Sequence, residues 1–149
     1  TPVILDNKVF ISSGYNEGGA LLEISQNGEI KQLWHNRLMR NQLNTSVLWK
    51  GHLYGFDERT LRCIDVKTGD EVWNSRGHGK GSLMLAGGQL IVLSENGELL
   101  IAPATPEGFT PTGHKQVLQG KCWTVPAFSD NKIYARNAAG DLICLDVSK

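Results

Sequence analysis

Short apolar runs, closed by Gly, Asn, Asp or Ser, follow one another along the whole chain and fall into a repeat. One set reads DNKVF from Asp6, KGHLY from Lys50, GGQLI from Gly87 and DNKIY from Asp130. It places Lys8, His52, Gln89 and Lys132 in one register, at spacings of 44, 37 and 43 residues. A second set reads LLEIS from Leu21, LRCID from Leu61, LLIAP from Leu99 and LICLD from Leu142, at 40, 38 and 43. Two landmarks that keep step at about 40 to 45 residues, with four short strands per unit, predict β-propeller blades. The strands carry apolar runs more than clean alternation, as expected of a sheet covered on both faces by neighbouring blades.

The reading is therefore all-β, a single partial propeller over 1–149, with blades at approximately 1–36, 44–77, 81–119 and 122–149. Blade two is the most regular: NTSVLW, HLYGF, TLRCIDV and EVWN, with a KTG turn before the last strand. In blade three the segment TPEGFTPTGHKQVLQ, with two Pro and two Gly, argues against a regular outer strand before Lys115. Blade four has WTVPAF, KIYARN and DLICLDV, and lacks a fourth strand. HNRLMRNQLN, from His35, is too sparsely apolar for an amphipathic helix and reads as an inter-blade loop.

Composition adds limits more than clues. The 149 residues are about one domain's length, and fifteen basic and fifteen acidic side chains cancel, so no global field favours nucleic acid or an anionic membrane. No apolar run approaches the length of a membrane-spanning helix, and the opening TPVILDNKVF already reads as strand, which leaves no signal peptide in this stretch. Seventeen glycines suit a chain of tight turns. Cys63 and Cys144 share one column of the repeat two blades apart, and Cys122 stands beside Trp123, so unbonded thiols are expected and no pair has zinc or redox spacing.

LRCIDVKTGDEVW, from Leu61 to Trp73, resembles the tryptophan-docking repeat of the pyrroloquinoline-quinone-type propellers: a Leu-rich strand ending in an acid, a Thr-Gly turn, then a Trp on the outer strand. Blade one keeps Gly28 and Trp34, and blade four keeps Leu142, Leu145 and Asp146. The stretch from GKGSLMLAGGQLIVL through DLICLDV is similar to the C-terminal half of bacterial quinoprotein-like propellers, and to the propeller lipoproteins of the outer-membrane assembly machinery. The resemblance implies half of a seven- or eight-bladed ring and a periplasmic or secreted location. It also implies that Trp34 and Trp73 dock blades together, and that the chain is either cut from a longer protein or completes its ring with a second copy, as a homodimer, or with a complementing partner that supplies the missing half.

Quinoprotein dehydrogenases of this type cap the quinone with adjacent cysteines and hold calcium beside a catalytic Asp. Neither adjacent cysteines nor an oxygen cluster of calcium type occurs in this sequence, so no cofactor, no metal and no catalytic residue is expected. Propeller topology does gather the loops that join one blade's outer strand to the next blade's inner strand near the axis of one face. They carry Arg37 and Arg40 with His35; Arg76, His78 and Lys80; and Lys121 with Lys115. SRGHGKG, from Ser75, interleaves glycines with these cations in the manner of an anion-binding nest. The acids Glu17, Asp57, Glu58, Glu95, Glu98 and Asp141 fall on turns of the same face farther out, so charge is expected to sort by radius. Trp123 is a candidate for the central channel.

The functional reading is a noncatalytic module that binds a protein or peptide on its loop face or an exposed sheet edge, without nucleic acid. The alternative is a fragment of a quinone-dependent oxidoreductase whose cofactor site lies in absent blades.

Overall fold

The computed structural model of the chain describes residues 1–148. Fifteen strands form four antiparallel meanders. Blade 1 holds β1 (Val3–Leu5), β2 (Lys8–Ser13), β3 (Gly18–Ile24) and β4 (Ile30–Asn36); blade 2 holds β5 (Val47–Trp49), β6 (His52–Asp57), β7 (Thr60–Asp65) and β8 (Glu71–Ser75). Blade 3 holds β9 (Ser82–Ala86), β10 (Gln89–Leu93), β11 (Glu98–Pro103) and β12 (Gly113–Gln116). Blade 4 is a three-stranded sheet of β13 (Ala127–Ser129), β14 (Lys132–Arg136) and β15 (Leu142–Asp146). No helix occurs among the described residues, so none there is long and apolar enough to cross a membrane. The outer strand of blade 3 begins at Gly113, two residues earlier than expected. The two prolines precede it and therefore cost it no ladder hydrogen bond.

Turn chemistry sets the corners. At the β7–β8 turn the Asp65 carboxylate accepts hydrogen bonds from the amides of Lys67 (2.7 Å) and Thr68 (3.1 Å), and Gly69 closes the turn at φ +78°. A Cβ at Gly69 would lie 2.8 Å from the Trp34 ring of the preceding blade, so glycine answers both backbone and packing.

Each pair of neighbouring blades encloses its own core. The first seam buries Phe10, Leu21 and Met39 against Leu53, Ile64 and Val66. The second joins Tyr54, Phe56, Leu61 and Cys63 to Leu83, Leu90, Val92 and Leu100; the third joins Ile91, Leu93 and Leu99 to Ile133 and Ala135. Trp34 and Trp73 flank the first two seams. The Trp34 indole donates to the Val66 carbonyl of blade 2, and the Trp73 indole donates to the Thr105 carbonyl of blade 3, each at 2.9 Å. A β-bulge follows the partner of each Trp, between Leu21 and Leu22 and between Cys63 and Ile64.

Pairing corrects one landmark of the repeat. Lys8, His52, Gln89 and Lys132 do occupy one position, but the partners four pairs along are Ser12 with Gly19, Phe56 with Leu61, Leu93 with Leu99 and Arg136 with Leu142. The counterpart of Leu61 in blade 1 is thus Gly19 and not Leu21, which stands where Cys63 and Cys144 stand. Phe10 explains the exchange, because a Cβ on Gly19 would meet its ring at 2.8 Å.

Four blades make three seams, and the end faces stay uncovered. Cross-strand partners share a sheet face. Ile4, Val9 and Leu22 therefore lie on the outer face of blade 1, in the positions that Leu48, Leu53 and Ile64 of blade 2 use to meet blade 1. Tyr134, Leu142 and Cys144 lie on the outer face of blade 4, in the positions that Tyr54, Leu61 and Cys63 of blade 2 use to meet blade 3. Ile4 is 64% exposed and Leu142 69%.

Candidate partner-binding face

The loop face is built from one recurring contact. The turn between the second and third strands of a blade meets the loop that enters that blade: Glu58 N–H donates to Arg40 O (3.2 Å), Glu95 N–H to His78 O (2.8 Å), and Ala138 N–H to Lys121 O (2.7 Å). Two acids turn this scaffold into charge networks. Asp57, with a side chain only 1% exposed, accepts from Arg40 Nε (2.6 Å), Nη2 (3.1 Å) and backbone N–H (3.1 Å), and from Arg62 Nε (2.8 Å). Burial pushes the Asp57 carboxyl upward, but the hydrogen bonds from both guanidinium groups outweigh it and hold the group below the usual carboxylate range.

Glu95 is the second hub. Its carboxylate accepts from the Trp123 indole (3.0 Å), the Lys80 amide (3.1 Å) and Arg59 Nη2 (2.9 Å). These donors prevail over partial burial and keep Glu95 below its ordinary range. The Lys121 ammonium lies 4.2 Å from the centroid of the Trp123 ring, and Lys80 Nζ donates to Gln42 Oε1 of the neighbouring loop at 2.6 Å. Trp123 is thus held at the loop face by blade 3.

The expected cations separate into two groups. Arg37, Arg76 and Lys121 are exposed, and Arg76 borders a shallow hollow of about 350 Å³ with Arg59, Gly77, Gly79 and Asn96. Arg40 is committed to Asp57. His78 is half-buried, its ring edge on Phe109 at a centroid distance of 5.5 Å and its Nε2 2.9 Å from Ser75 Oγ; burial lowers its pKa, with Glu98 opposing. Charge is therefore not sorted by radius: Asp57 and Glu58 lie in contact with Arg40, and Glu95 with Arg59, because a buried carboxylate requires donors within reach. The part played by Arg59 and Arg62 was missed from sequence. Its available signal was Asp57 closing the buried run HLYGF with Arg62 five residues on.

Beside these networks a polar cleft of about 440 Å³ opens between Ser12–Tyr15 and Gln42–Thr45, with Thr1 and Val125 at its rim. Asn44 borders it, donating to Gly81 O at 2.8 Å, while its Oδ1 is the buried side-chain atom left without a partner among the described residues. The cleft offers amide and hydroxyl groups, and cationic side chains stand on the loops of the same face.

Docked four-stranded blades with an Asp–Thr–Gly turn and an outer-strand Trp define a quinoprotein-like β-propeller. A family model described as Outer membrane protein assembly factor BamB matches residues 1–75, and the chain belongs to that family. No curated protein matches the sequence. In solved structures the fold is similar to BamB from Moraxella catarrhalis, with TM-score 0.68 and 16% identity, covering 97% of this chain and 42% of that one. It is similar also to Sqt1 from Saccharomyces cerevisiae, with TM-score 0.73 and 14% identity over 95% of this chain and 45% of that one. The computationally designed Ika4 protein gives TM-score 0.68 and 13% identity, over 99% of this chain and 89% of the other. This chain spans less than half the length of the BamB and Sqt1 chains it matches.

Proposed function

We propose that this chain is a noncatalytic propeller module that binds protein, working on the periplasmic or secreted side as part of an outer-membrane protein assembly factor like BamB. The observation that carries the reading is the pair of uncovered end faces. Apolar sheet surface that is buried in every internal seam stands open at Ile4 and Leu142, and large exposed apolar patches mark interaction sites. The two faces are of opposite type, so each suits the other: further blades, from the rest of a longer protein, a second copy or a complementing chain, fill the ring between blade 4 and blade 1. The loop face, where Lys80 reaches Gln42 at the polar cleft and Arg37, Arg76 and Lys121 stand exposed on the inter-blade loops, serves as the second contact surface for a protein or peptide.

The test is a double substitution, Ile4→Lys with Leu142→Lys, one on each end face. The parent chain should associate or bind an apolar dye, and the variant should do neither while keeping its strand signal by circular dichroism. A parent chain that is monomeric and dye-silent would defeat the reading.

A further inference from the structure

We propose that a slot between blades 1 and 2, on the side opposite the loop face, binds a free aromatic amino acid, with the ring over Gly51, the carboxylate on Lys67 and the ammonium on Asp6. It is a small-molecule site, separate from the polypeptide surfaces proposed above, and both blades that form it have all four strands. The slot holds about 450 Å³ and is largely apolar: Leu5, Leu21 and Leu33 of blade 1 face Gly51 and Val66 of blade 2. A concave apolar site of that volume, with a few polar groups at its mouth, has the form of a small-ligand pocket.

The next seam shows what such a space accepts. Val66 N–H donates to Gly51 O (3.0 Å) in blade 2 as Ala104 N–H donates to Gly88 O (2.9 Å) in blade 3, so the two glycines hold one position. Leu5 and Trp49 hold another: they end β1 and β5 and pair with Lys8 and His52. Across the second seam Trp49 covers Gly88, where a Cβ would lie 3.1 Å from the indole ring. Across the first seam a Cβ on Gly51 would meet nothing within 4 Å, because Leu5 is too short to cover it. Exchanging an indole for an isobutyl group thus leaves open a space of aromatic shape.

Charge at the mouth selects the occupant. Lys50, the residue after Trp49, sets its Nζ 5.7 Å from the centroid of that ring. Its counterpart after Leu5 is Asp6, and both lie in the left-handed region, at φ +47° and +50°. A ring in the first slot therefore has a carboxylate beside it, while Lys67 lines the slot from the facing blade. Lys8, also at the mouth, is bridged to Glu23 at 3.5 Å, whereas neither Asp6 nor Lys67 has an ion-pair partner among the described residues. One unpaired acid and one unpaired base match an α-ammonium and an α-carboxylate, each through charge-assisted hydrogen bonds.

The probe is L-tryptophan, titrated into the whole chain by calorimetry, with tryptamine, indole-3-propionate and N-acetyltryptophanamide as comparators. We expect saturable binding of tryptophan, about tenfold tighter than either singly charged analogue. Lys67→Gln should weaken tryptophan and indole-3-propionate about tenfold and leave tryptamine unchanged. Asp6→Asn, which suits the left-handed turn, should weaken tryptophan and tryptamine and leave indole-3-propionate unchanged. Leu5→Trp repeats the second seam in the first and should abolish binding. Methyl resonances of Leu5, Leu33 and Val66 should shift with tryptophan in the parent chain, which locates the ligand even where the Leu5→Trp chain fails to fold. No saturable binding, shifts confined to other methyls, or analogue losses that do not follow the charge removed would each overturn the proposal. So would N-acetyltryptophanamide binding as tightly as tryptophan, which would give the slot to the side chain of a polypeptide.

Discussion

Asp57 is a charge kept inside the fold by two arginines, and its protonation sets the acid limit of the molecule. Its folded pKa lies below the unfolded one, so its contribution is complete above the ordinary Asp value of about 3.9 and is lost as pH falls through the lower folded value. His78 acts earlier with the same sign: its folded pKa is lowered, so its contribution is complete above about 6.5 and declines as pH falls through the folded value. Urea midpoints measured from pH 7 to pH 2 should therefore fall in two steps. Asp57→Asn should shrink the more acidic one, leaving the share of Glu95, and cost about 3 kcal/mol at pH 7, since it leaves partly buried guanidinium groups short of a counter-charge. Thiol reactivity follows burial in the same way. Burial pushes Cys63 up to about 12 and raises Cys122, while Cys144 is exposed on the outer face of blade 4, so maleimide at pH 7.5 should label Cys144 alone in the end-face variant and all three thiols in urea. Sequence placed Arg37, Arg40, Arg76, His78, Lys80 and Lys121 on inter-blade loops, but pairing depends on turns brought together across seams. Whether a loop cation is free or spent on Asp57 or Glu95 is decided by contacts between residues 15 to 36 positions apart.

At the scale of the blade, an outer-strand Trp ties one sheet to the next. Trp73 stacks between Tyr54 and Phe109 and donates to Thr105, so Trp73→Ala should cost about 3 kcal/mol in denaturant unfolding. Gly69→Ala should destabilise by a similar pathway from the opposite side of a seam, because its Cβ meets Trp34 and the backbone at φ +78° is strained for Ala. A pair of variants, Gly69→Ala with Trp34→Phe, should lose less than the sum of the two, a coupling that a double-mutant cycle reads directly. The strand pattern, the three four-stranded blades and the missing fourth strand of blade 4 were legible in the sequence, because apolar runs and Gly turns are local. The Leu21 landmark was displaced because Gly19 and Phe10 exchanged bulk across two strands, and no local pattern reports such an exchange. Gly113 was likewise hidden by the prolines just before it.

For the molecule as a whole, the reading proposed above is tested in its homodimeric form by the mass in solution. Two four-bladed chains give an eight-bladed ring with both new seams alike, and light scattering should return twice the 16.4 kDa mass, falling to the monomer in the end-face variant. Three seams among four blades also have an energetic consequence. In the monomeric end-face variant, freeing blade 4 breaks one seam, whereas freeing blade 2 breaks two, so the repeat there behaves as a short row of coupled units whose ends open first. Amide exchange should be slowest in β6, β7 and β10 and fastest in β13–β15. A partner that covers the ends would raise that threshold everywhere, so occupancy of the rim would be recorded in the exchange rates of strands it never touches.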